Sequence, residues 1–482
     1  MDSHATSPTN ATSPRISREL IGKRQPQHLR TKETGMTSSN PFPTATHRIV
    51  QGTIVDLAGV IRAKNVPADR LDVFARNGVG APKVWVVFNA DNNFAENETF
   101  NVTGDLRLRL DASQVRPLDE HILWGPTNLV EQNGDPSEYD ARGVLRNVVD
   151  KAAELGYTAR FGHEFEFLLL PEETASERNP DIFATPWPGY GAVPFIGQEE
   201  FFSDLIDAAG AAGITLEQLH TEWGPYQYEV SIAPEDPVRA ADNVVLLKLL
   251  LKRVAARHGL TAVLSPKPFV DQTGNGGHVH LSLNRVDGNS PILSGGDLRY
   301  GLSEDGAHAI AGLHRHLAEL TALLAGSPVS LLRLRPDTWS GAAIGWGLEN
   351  RETAIRYIAA TLGNPHGANI EIKACDLSAN PYVEIAGLLA GALDGIRNRL
   401  PLAEPTEGIP SEYDEEERSE RGLSLFPATF DDVTKAFEDS AVLREFLGDG
   451  LVDAITAIRN LNSETYKDTP AEELVYLFRN IW

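Results

Sequence analysis

The segment FGHEFEFLLL, residues 161–170, reads as an apolar strand with two carboxylates on one face. Successive side chains of a strand point to opposite sides, so Glu164 and Glu166 share one face and Phe165 and Phe167 the other. The phenylalanine face predicts burial in a core. Like charges on so apolar a strand require an opposite charge nearby. The segment therefore predicts a polar site on one face of a sheet.

Three further segments combine strand-like sequence with charge on one face, the first of them as two strands, and a fourth supplies two arginines that could equally form ion pairs on a helix. They are HTEWGPYQYEV with Glu222 and Glu229, NGGHVHLSL with His278 and His280, ANIEIKACD with Glu371 and Lys373, and ENRETAIRYI with Arg351 and Arg356. The Gly-Pro turn between Glu222 and Glu229 predicts a hairpin that joins two short strands. Each pattern alone is typical of a solvent-facing strand or a surface ion pair. Five such faces together indicate that they converge on one cavity.

The predicted donor set consists of carboxylates with one imidazole and no cysteine. Such hard ligands favour Mg²⁺ or Mn²⁺ over zinc. Divalent ions beside arginines indicate phosphoryl transfer from a nucleotide, because both neutralise the charge of the migrating phosphoryl group. The sequence contains neither a GxxxxGK[ST] loop nor a protein-kinase signature, which excludes those two nucleotide-binding folds.

Composition narrows the class of protein and its partners. The 482 residues carry a net charge of −24, with no long basic cluster, which argues against nucleic acid and anionic membrane as partners. The single cysteine, Cys375, cannot form an intramolecular disulfide and fits a reducing cytosol. No run reaches the length of a membrane span, and the best candidate, which begins at Val244, is interrupted by Lys248, Lys252 and Arg253 and predicts a core helix. Composition therefore fits a cytoplasmic protein and says little about its substrate.

The order of segments predicts an α+β protein with three parts. Residues 1–45 are polar, lack a hydrophobic period and predict a disordered tail. Residues 46–140 contain short strand-like segments, among them PKVWVVF and GDLRLRLD, and predict a small β-rich domain. Residues 141–482 alternate strands and helices and predict a large catalytic domain. Within it, SEYDEEERSERG is expected to be a solvated loop.

Met36 lies where the composition changes and is a candidate for the natural start of the chain. If so, the preceding residues are dispensable. Removal of residues 1–35 is expected to leave activity intact, as measured by turnover of the shortened and full-length proteins. A large loss of activity in the shortened protein would end this hypothesis.

From about His47 to Trp482 the chain resembles the glutamine synthetase family, of the type I-like branch. The motifs that carry the resemblance occur in the order typical of the family: VDLAGVIRAK, GHEFEFLLL, LEQLHTEWGPYQYEV, GNGGHVHLSL, RLRPDTWSG, ENRETAIRYI and SANPYVEIAGLLAGALDGI. The resemblance implies a β-grasp-like N-terminal domain and a catalytic domain of antiparallel strands flanked by helices. It also implies a homo-oligomer, a dodecamer of two stacked hexameric rings.

The resemblance further implies a role for each matching residue. One metal ion would be held by Glu166, Glu222 and Glu229, and a second by Glu164, His278 and Glu371. Contacts to ATP would come from Glu217, His280, Ser282 and Arg356. Glutamate would be held by Gly274, Arg333 and Lys373, with Arg351 near the transferred phosphate. The implied reaction has two steps: ATP phosphorylates the γ-carboxylate of glutamate, and a neutral amine then displaces the phosphate.

The active-site loop departs from the family pattern at the amine position. Glutamine synthetases usually have R-L-V-P-G-x-E there, and its glutamate closes over the ammonium site; here RLRPDTW places Trp339 at that position. The loop that carries the ammonium-binding aspartate reads FNADNNF, so either Asn89 or Asp91 takes that place. An indole suits an alkyl-bearing amine through apolar contact or cation–π attraction. The nucleophile is therefore expected to be an organic amine, as in the γ-glutamylethanolamide and γ-glutamylpolyamine synthetases of the family.

Other departures concern the glutamate and nucleotide sites. Lys373 replaces an arginine, Thr273 replaces an asparagine, and of the basic residues before the Glu371 strand only His366 is left. Lysine keeps the charge and loses the bidentate geometry of arginine. These changes leave two interpretations open: weaker binding of glutamate or the nucleotide, or an acid substrate other than glutamate.

Three functions remain open from the residues. The first is a ligase that joins glutamate to ethanolamine, an alkylamine or a polyamine. The second is glutamine synthetase itself, for which Trp339 would be a neutral loop variant. The third is a non-catalytic relative with a structural or regulatory role, which the retention of six ligand positions argues against.

Overall fold

Two β-sheets organise the computed structural model, which describes residues 46–178 and 180–482. The expected tail and the Met36 hypothesis concern residues outside this range. The described residues form one compact unit, so the domain boundary at residue 140 stays a prediction. Within the described residues, no helix is both long and apolar enough to cross a membrane.

The first sheet is built from the N-terminal part of the chain. Its strands are β1 (Ile49–Val55), β2 (Ile61–Pro67), β3 (Val79–Pro82), β4 (Asp105–Leu110), β5 (Arg116–Pro117) and β6 (Ile122–Val130). They lie in the order β2-β1-β6-β4-β3, with β5 on β6 and a parallel pairing of β1 with β6. The segment PKVWVVF, expected to be a strand, instead forms a 3₁₀ helix over Lys83–Val87. Its three valines, Val84, Val86 and Val87, are buried, and the spacing of Val84 and Val87 suits the three-residue period of that helix.

The second sheet carries the polar faces expected from the sequence. Its strands are β7 (Tyr157–Pro171), β8 (Leu216–Thr221), β9 (Gln227–Glu235), β10 (Leu260–Val263), β11 (Val279–Arg285), β12 (Ala343–Leu348), β13 (Thr353–Ile358), β14 (Asn369–Ile372) and β15 (Ser424–Leu425). Their order is β15-β12-β13-β14-β11-β7-β9-β8, with β10 on β7. The pairings are antiparallel except that of β12 with β13. The strands with charged faces are thus immediate neighbours in the sheet.

The helices cover the sheets and complete the α+β class, which is confirmed. They are α1 (Leu71–Asn77), α2 (Ala141–Glu154), α3 (Glu172–Ala175), α4 (Ala192–Ile196), α5 (Glu199–Ala211), α6 (Pro237–Arg257), α7 (Glu304–Leu324), α8 (Pro381–Asn398), α9 (Glu415–Glu420), α10 (Phe430–Glu438), α11 (Ala441–Leu447), α12 (Asp449–Tyr466) and α13 (Ala471–Phe478). The expectation of an irregular loop at SEYDEEERSERG is wrong in part, since α9 lies within it. A capping box between Asp414 and Glu417 begins this short exposed helix.

The core lies beneath the second sheet. Phe161, Phe165 and Phe167 of β7 are fully buried, as the alternation of FGHEFEF predicts. Helices α7 and α8 cross closely because glycines face each other: a Cβ on Gly312 would lie 2.2 Å from the carbonyl oxygen of Gly391. This tight layer gives the strands above it a rigid support.

A buried charged cluster joins α7 to α8 away from the polar sheet face. His316 Nδ1 lies 3.1 Å from Glu319 Oε2, and His316 Nε2 lies 2.9 Å from Asp394 Oδ2. Burial alone would lower the pKa of His316, but hydrogen bonds to these two carboxylates raise it. Because the folded pKa lies above the unfolded value, the charged histidine stabilises the fold below the unfolded pKa, near 6.5. That stabilisation is lost as the pH rises through the folded pKa.

Replacement of His316 by alanine is expected to lower the free energy of unfolding by about 1–3 kcal/mol, because it leaves the buried Asp394 with fewer partners. The loss should be larger at pH 5.5 than at pH 9. Thermal unfolding of both proteins at the two pH values measures the difference. An equal shift in Tm at both pH values would show that His316 contributes only by packing.

Candidate active site

A cavity of about 1650 Å³ lies over the polar face of the second sheet. The residues expected to hold metal, ATP, glutamate and phosphate line it together with Trp339: Glu164, Glu166, Glu217, Glu222, Glu229, Gly274, His278, His280, Ser282, Arg333, Trp339, Arg351, Arg356, Glu371 and Lys373. The structure thus brings together residues that span more than two hundred positions of the chain. Their chemical roles stay predictions.

Strand register explains why these side chains meet. Across β7 and β9, Glu166 is paired with Glu229. Across β14, Glu371 is paired with His280 on one side and with Arg356 on the other. Cross-strand partners project to the same face, so each pairing places two polar groups side by side.

The centre of the cavity joins Glu164 to two imidazoles. His278 Nδ1 lies 2.8 Å from Glu164 Oε2, and His280 Nε2 lies 3.1 Å from Glu164 Oε1. Burial would raise the pKa of Glu164, but hydrogen bonds to both histidines hold it well below its usual range. Burial would lower the pKa of His280, yet Glu164 raises it to about 9. The geometry places either histidine within reach of a metal held by Glu164.

Glu229 lies in the most crowded group of carboxylates in the cavity. Its side chain is buried, and burial together with the charges of Glu164, Glu166 and Glu222 raises its pKa to about 10. A carboxyl group with so high a pKa holds a proton at neutral pH unless a positive ion replaces it. The donor set therefore fits a divalent cation.

Three groups of side chains in the described residues have ligand atoms close enough to share an ion. They are Glu164, Glu229 and His278; Glu164, His280 and Glu371; and His220, Glu222 and Glu229. Glu164 and Glu229 each belong to two groups. The observed groups therefore share residues, whereas the two ligand sets expected from the sequence shared none. Glu166 lies beside them: its Oε2 accepts a hydrogen bond from the backbone N–H of Gly276 at 2.7 Å, and its Oε1 is 3.7 Å from His278 Nε2.

Three cavity residues were missed by the sequence analysis. His220 Nε2 lies 3.1 Å from Glu222 Oε1, and the ring of Tyr190 stacks on His220 with centroids 6.2 Å apart. Gln227 donates from Nε2 to the carbonyl oxygen of Gly274 at 2.8 Å and holds that loop. The i, i+2 spacing of His220, near the end of β8, and Glu222, just beyond it, is a signal that could have found the histidine. Tyr190 and Gln227 have no local signal, because long-range packing places them.

The cationic residues differ in how freely they can bind an anion. Arg356 donates to Glu371 at 2.9 Å and to Glu349 at 2.6 Å, and Lys373 Nζ lies 3.4 Å from Glu371. Arg333 donates from Nη2 to three backbone carbonyls of residues 373–375, while its buried Nε has no partner. Arg351 forms neither a side-chain hydrogen bond nor an ion pair with any described residue. Arg351 is thus available to an incoming anion, as is Arg335 on the same cavity, whose side chain likewise has no such partner among the described residues.

Gly274 is required by a close approach of the glycine-rich turn to Arg333. A Cβ at position 274 would lie 2.6 Å from Arg333 Cγ and 2.8 Å from the carbonyl oxygen of Pro266. Glycine lets the backbone pass against the arginine stem. The turn is thereby packed on the side chain that the resemblance assigns to glutamate binding.

The loop that carries Trp339 forms one rim of the cavity. The residue is 58% exposed and has a φ of 55°, and its backbone N–H donates to Glu352 Oε1 at 3.0 Å. The indole is thus presented to the cavity instead of to the core. Asn89 and Asp91, the alternatives for the amine-binding aspartate, do not line the cavity of this chain. Asn89 is buried against Asn462, and Asp91 accepts a hydrogen bond from Tyr466.

Several known proteins are similar to this chain in sequence or in fold. The chain is 38% identical over 412 residues to "Gamma-glutamylpolyamine synthetase GlnA3" of Streptomyces coelicolor, covering 84% of this chain and 87% of the relative. It is 31% identical over 409 residues to "Glutamine synthetase" of Pyrococcus abyssi, covering 84% and 88%. A structure described as "novel glutamine synthase homolog" matches 90% of this chain and 99% of its own, with a TM-score of 0.80 and 28% identity.

A family model that matches most of the chain identifies the family. Residues 138–476 match the model "Glutamine synthetase, catalytic domain", which includes all the cavity residues described above. The enzymes that the chain resembles are ligases that form C–N bonds. The chain belongs to the glutamine synthetase family and is an ATP-dependent ligase.

Proposed function

We propose that the protein joins the γ-carboxylate of glutamate to an organic primary amine through a γ-glutamyl phosphate, at the expense of ATP. The observation that carries this proposal is the exposed indole of Trp339 on the rim of the catalytic cavity. An ammonium site favours carboxylates, whereas an indole offers an apolar face that also attracts cations. The higher identity to a polyamine ligase than to a glutamine synthetase supports the same choice.

Divalent metal ions, which the family generally uses, would supply charge stabilisation to the transferred phosphoryl group. Two Mg²⁺ or Mn²⁺ ions per site fit the donor set. Glu166, Glu222 and Glu229 would hold one, and Glu164, His278 and Glu371 the other. The observed groups of ligand atoms also include His220 and His280, so these two histidines lie within reach of the same ions.

The remaining residues of the cavity bind and orient the substrates. Arg351, which has no side-chain hydrogen bond or ion pair within the described residues, would face the phosphoryl group and neutralise its charge. Arg333, with its unpartnered Nε, and Lys373 would hold the carboxylates of glutamate. Contacts to ATP are assigned to Glu217, His280, Ser282 and Arg356. The amine must be neutral when it attacks, and the cavity has carboxylates that can accept its proton.

We also propose a cytoplasmic location and an assembly of twelve subunits in two hexameric rings. Family members typically form oligomers, which supports an assembly of this kind. Sedimentation equilibrium measures the mass of the assembly independently of its shape. A monomer as the active species would contradict the proposed ring.

A phosphate-release assay tests the proposed reaction. The enzyme receives glutamate and MgATP with ammonium, ethanolamine, n-butylamine, putrescine or spermine in separate reactions. At least one organic amine is expected to give a higher kcat/KM than ammonium. Faster turnover with ammonium than with every organic amine would identify a glutamine synthetase instead.

A further inference from the structure

A second cavity of about 570 Å³ opens beside the catalytic cavity. Trp339 and Arg351 line both cavities, so the two meet at the tryptophan rim. The volume falls within the range of pockets that bind small molecules. The second cavity, called the side pocket below, is therefore a continuation of the reaction site. Apart from Trp339 and Arg351, its lining residues have no role in the proposed reaction.

The side pocket combines apolar walls with carboxylates. Its other lining residues are Tyr300, Leu348, Glu349, Asn350, Glu352, Thr406, Glu407, Gly408 and Ile409. Three of them are acidic, and Arg351 is the only basic residue among the described lining residues. The ring of Trp339 and the side chains of Tyr300 and Leu348 offer contact to an alkyl chain. This lining suits a molecule with an aliphatic body and a positive end.

The three carboxylates differ in their partners. Glu349 is paired with Arg356, with Oε2 2.6 Å from Nη2, and Glu407 is paired with Arg299. Glu352 has no ion pair with any Lys, Arg or His in the described part of the chain. One of its oxygens accepts the backbone N–H of Trp339 at 3.0 Å. Burial, with the charge of Asp337, raises the pKa of Glu352, so a cation beside it would be stabilising.

We propose that the side pocket binds the distal ammonium group of a diamine or polyamine whose proximal amine is the nucleophile. The proposal rests on the proposed function and names the class of amine. The aliphatic chain passes the indole of Trp339, and the distal ammonium group lies against Glu352. A monoamine of equal length fills the same path without the charge contact. The structure thus assigns the discrimination between the two amines to a carboxylate outside the catalytic cavity.

A matched series of amines tests this assignment. Putrescine and n-butylamine have four carbons each, and N-acetylputrescine keeps the chain but masks the distal charge. In the wild-type enzyme, kcat/KM for putrescine is expected to exceed that for each of the other two by about tenfold, typical of a close charge pair. Equal kcat/KM values for all three amines would overturn the proposal, whatever any variant does.

The variant Glu352→Gln removes the charge and keeps an oxygen that can accept the Trp339 N–H. It is expected to lower the ratio of kcat/KM for putrescine to that for n-butylamine by about tenfold. Glu352→Asp, which keeps a carboxylate, should retain most of the preference. The matched control Glu420→Gln removes an exposed charge of α9 that lines neither cavity, and its ratio should equal that of the wild type. An unchanged ratio in a folded Glu352→Gln enzyme would refute the role of Glu352.

The two proposals fail in different ways. If n-butylamine and putrescine are equally good substrates and both exceed ammonium, the distal subsite is wrong and the amine ligase stands. If ammonium exceeds both amines, the proposed function itself is wrong. Ammonium is therefore included in every series.

Discussion

The Glu166→Ala enzyme is expected to have lost turnover by roughly a thousandfold or more, because several kcal/mol of metal-derived charge stabilisation depend on the carboxylates of the cavity. Glu166 faces Glu229 across the β7–β9 pair and lies 3.7 Å from His278. Removal of its charge should weaken the binding of the divalent ion that it is proposed to hold. The measurement is phosphate release at saturating glutamate, MgATP and amine.

Two further variants separate this role from a structural one. Glu166 also accepts the N–H of Gly276, which the Glu166→Gln variant can preserve. That variant should therefore keep the wild-type Tm and still be inactive. The control Glu172→Ala removes an exposed carboxylate just beyond β7 and should retain full turnover. Substantial activity in Glu166→Gln at ordinary Mg²⁺ concentration would refute the metal assignment.

The second large effect is expected at Trp339. Its replacement by alanine should lower kcat/KM for organic amines by about ten- to a hundredfold, the effect expected when a tryptophan that packs against a bound ligand is removed. The kcat/KM for ammonium should change much less, because ammonium has no alkyl chain to contact the indole. The ratio of the two values, measured by phosphate release, isolates the effect on the amine.

A matched substitution distinguishes the loss of the aromatic face from a general distortion of the loop. Trp339→Phe keeps an aromatic face and should retain a larger share of the organic-amine activity than Trp339→Ala. If alanine lowers the ammonium and organic-amine activities in parallel, the indole only holds the loop and does not select the amine.

The local periodicity of the chain predicted much of the fold. The alternation in FGHEFEFLLL correctly separated the buried phenylalanines from the glutamates that line the cavity. The hairpin between Glu222 and Glu229 could also be predicted from the sequence, because a Gly-Pro turn separates two short strands. PKVWVVF was misread because its run of β-branched residues favours a strand, whereas the segment folds as a 3₁₀ helix in which all three valines are buried.

The composition of the cavity was predictable from the motifs, but its detailed contacts were not. Sequence spacing cannot show that Glu164 contacts both His278 and His280, since that depends on the register of β7 against β11. The side pocket was equally hidden. It brings Glu352 and Glu407 together from separate loops, and only tertiary structure places them beside Trp339.

Direct competition between nucleophiles tests the central claim most sharply. The enzyme is given glutamate, MgATP and equal concentrations of ammonium, ethanolamine, n-butylamine and putrescine, and the products are identified by mass spectrometry. The ratio of initial products reports the ratio of kcat/KM values without a separate measurement of each. The proposed function predicts that γ-glutamyl derivatives of an organic amine exceed glutamine. Glutamine as the main product would contradict it.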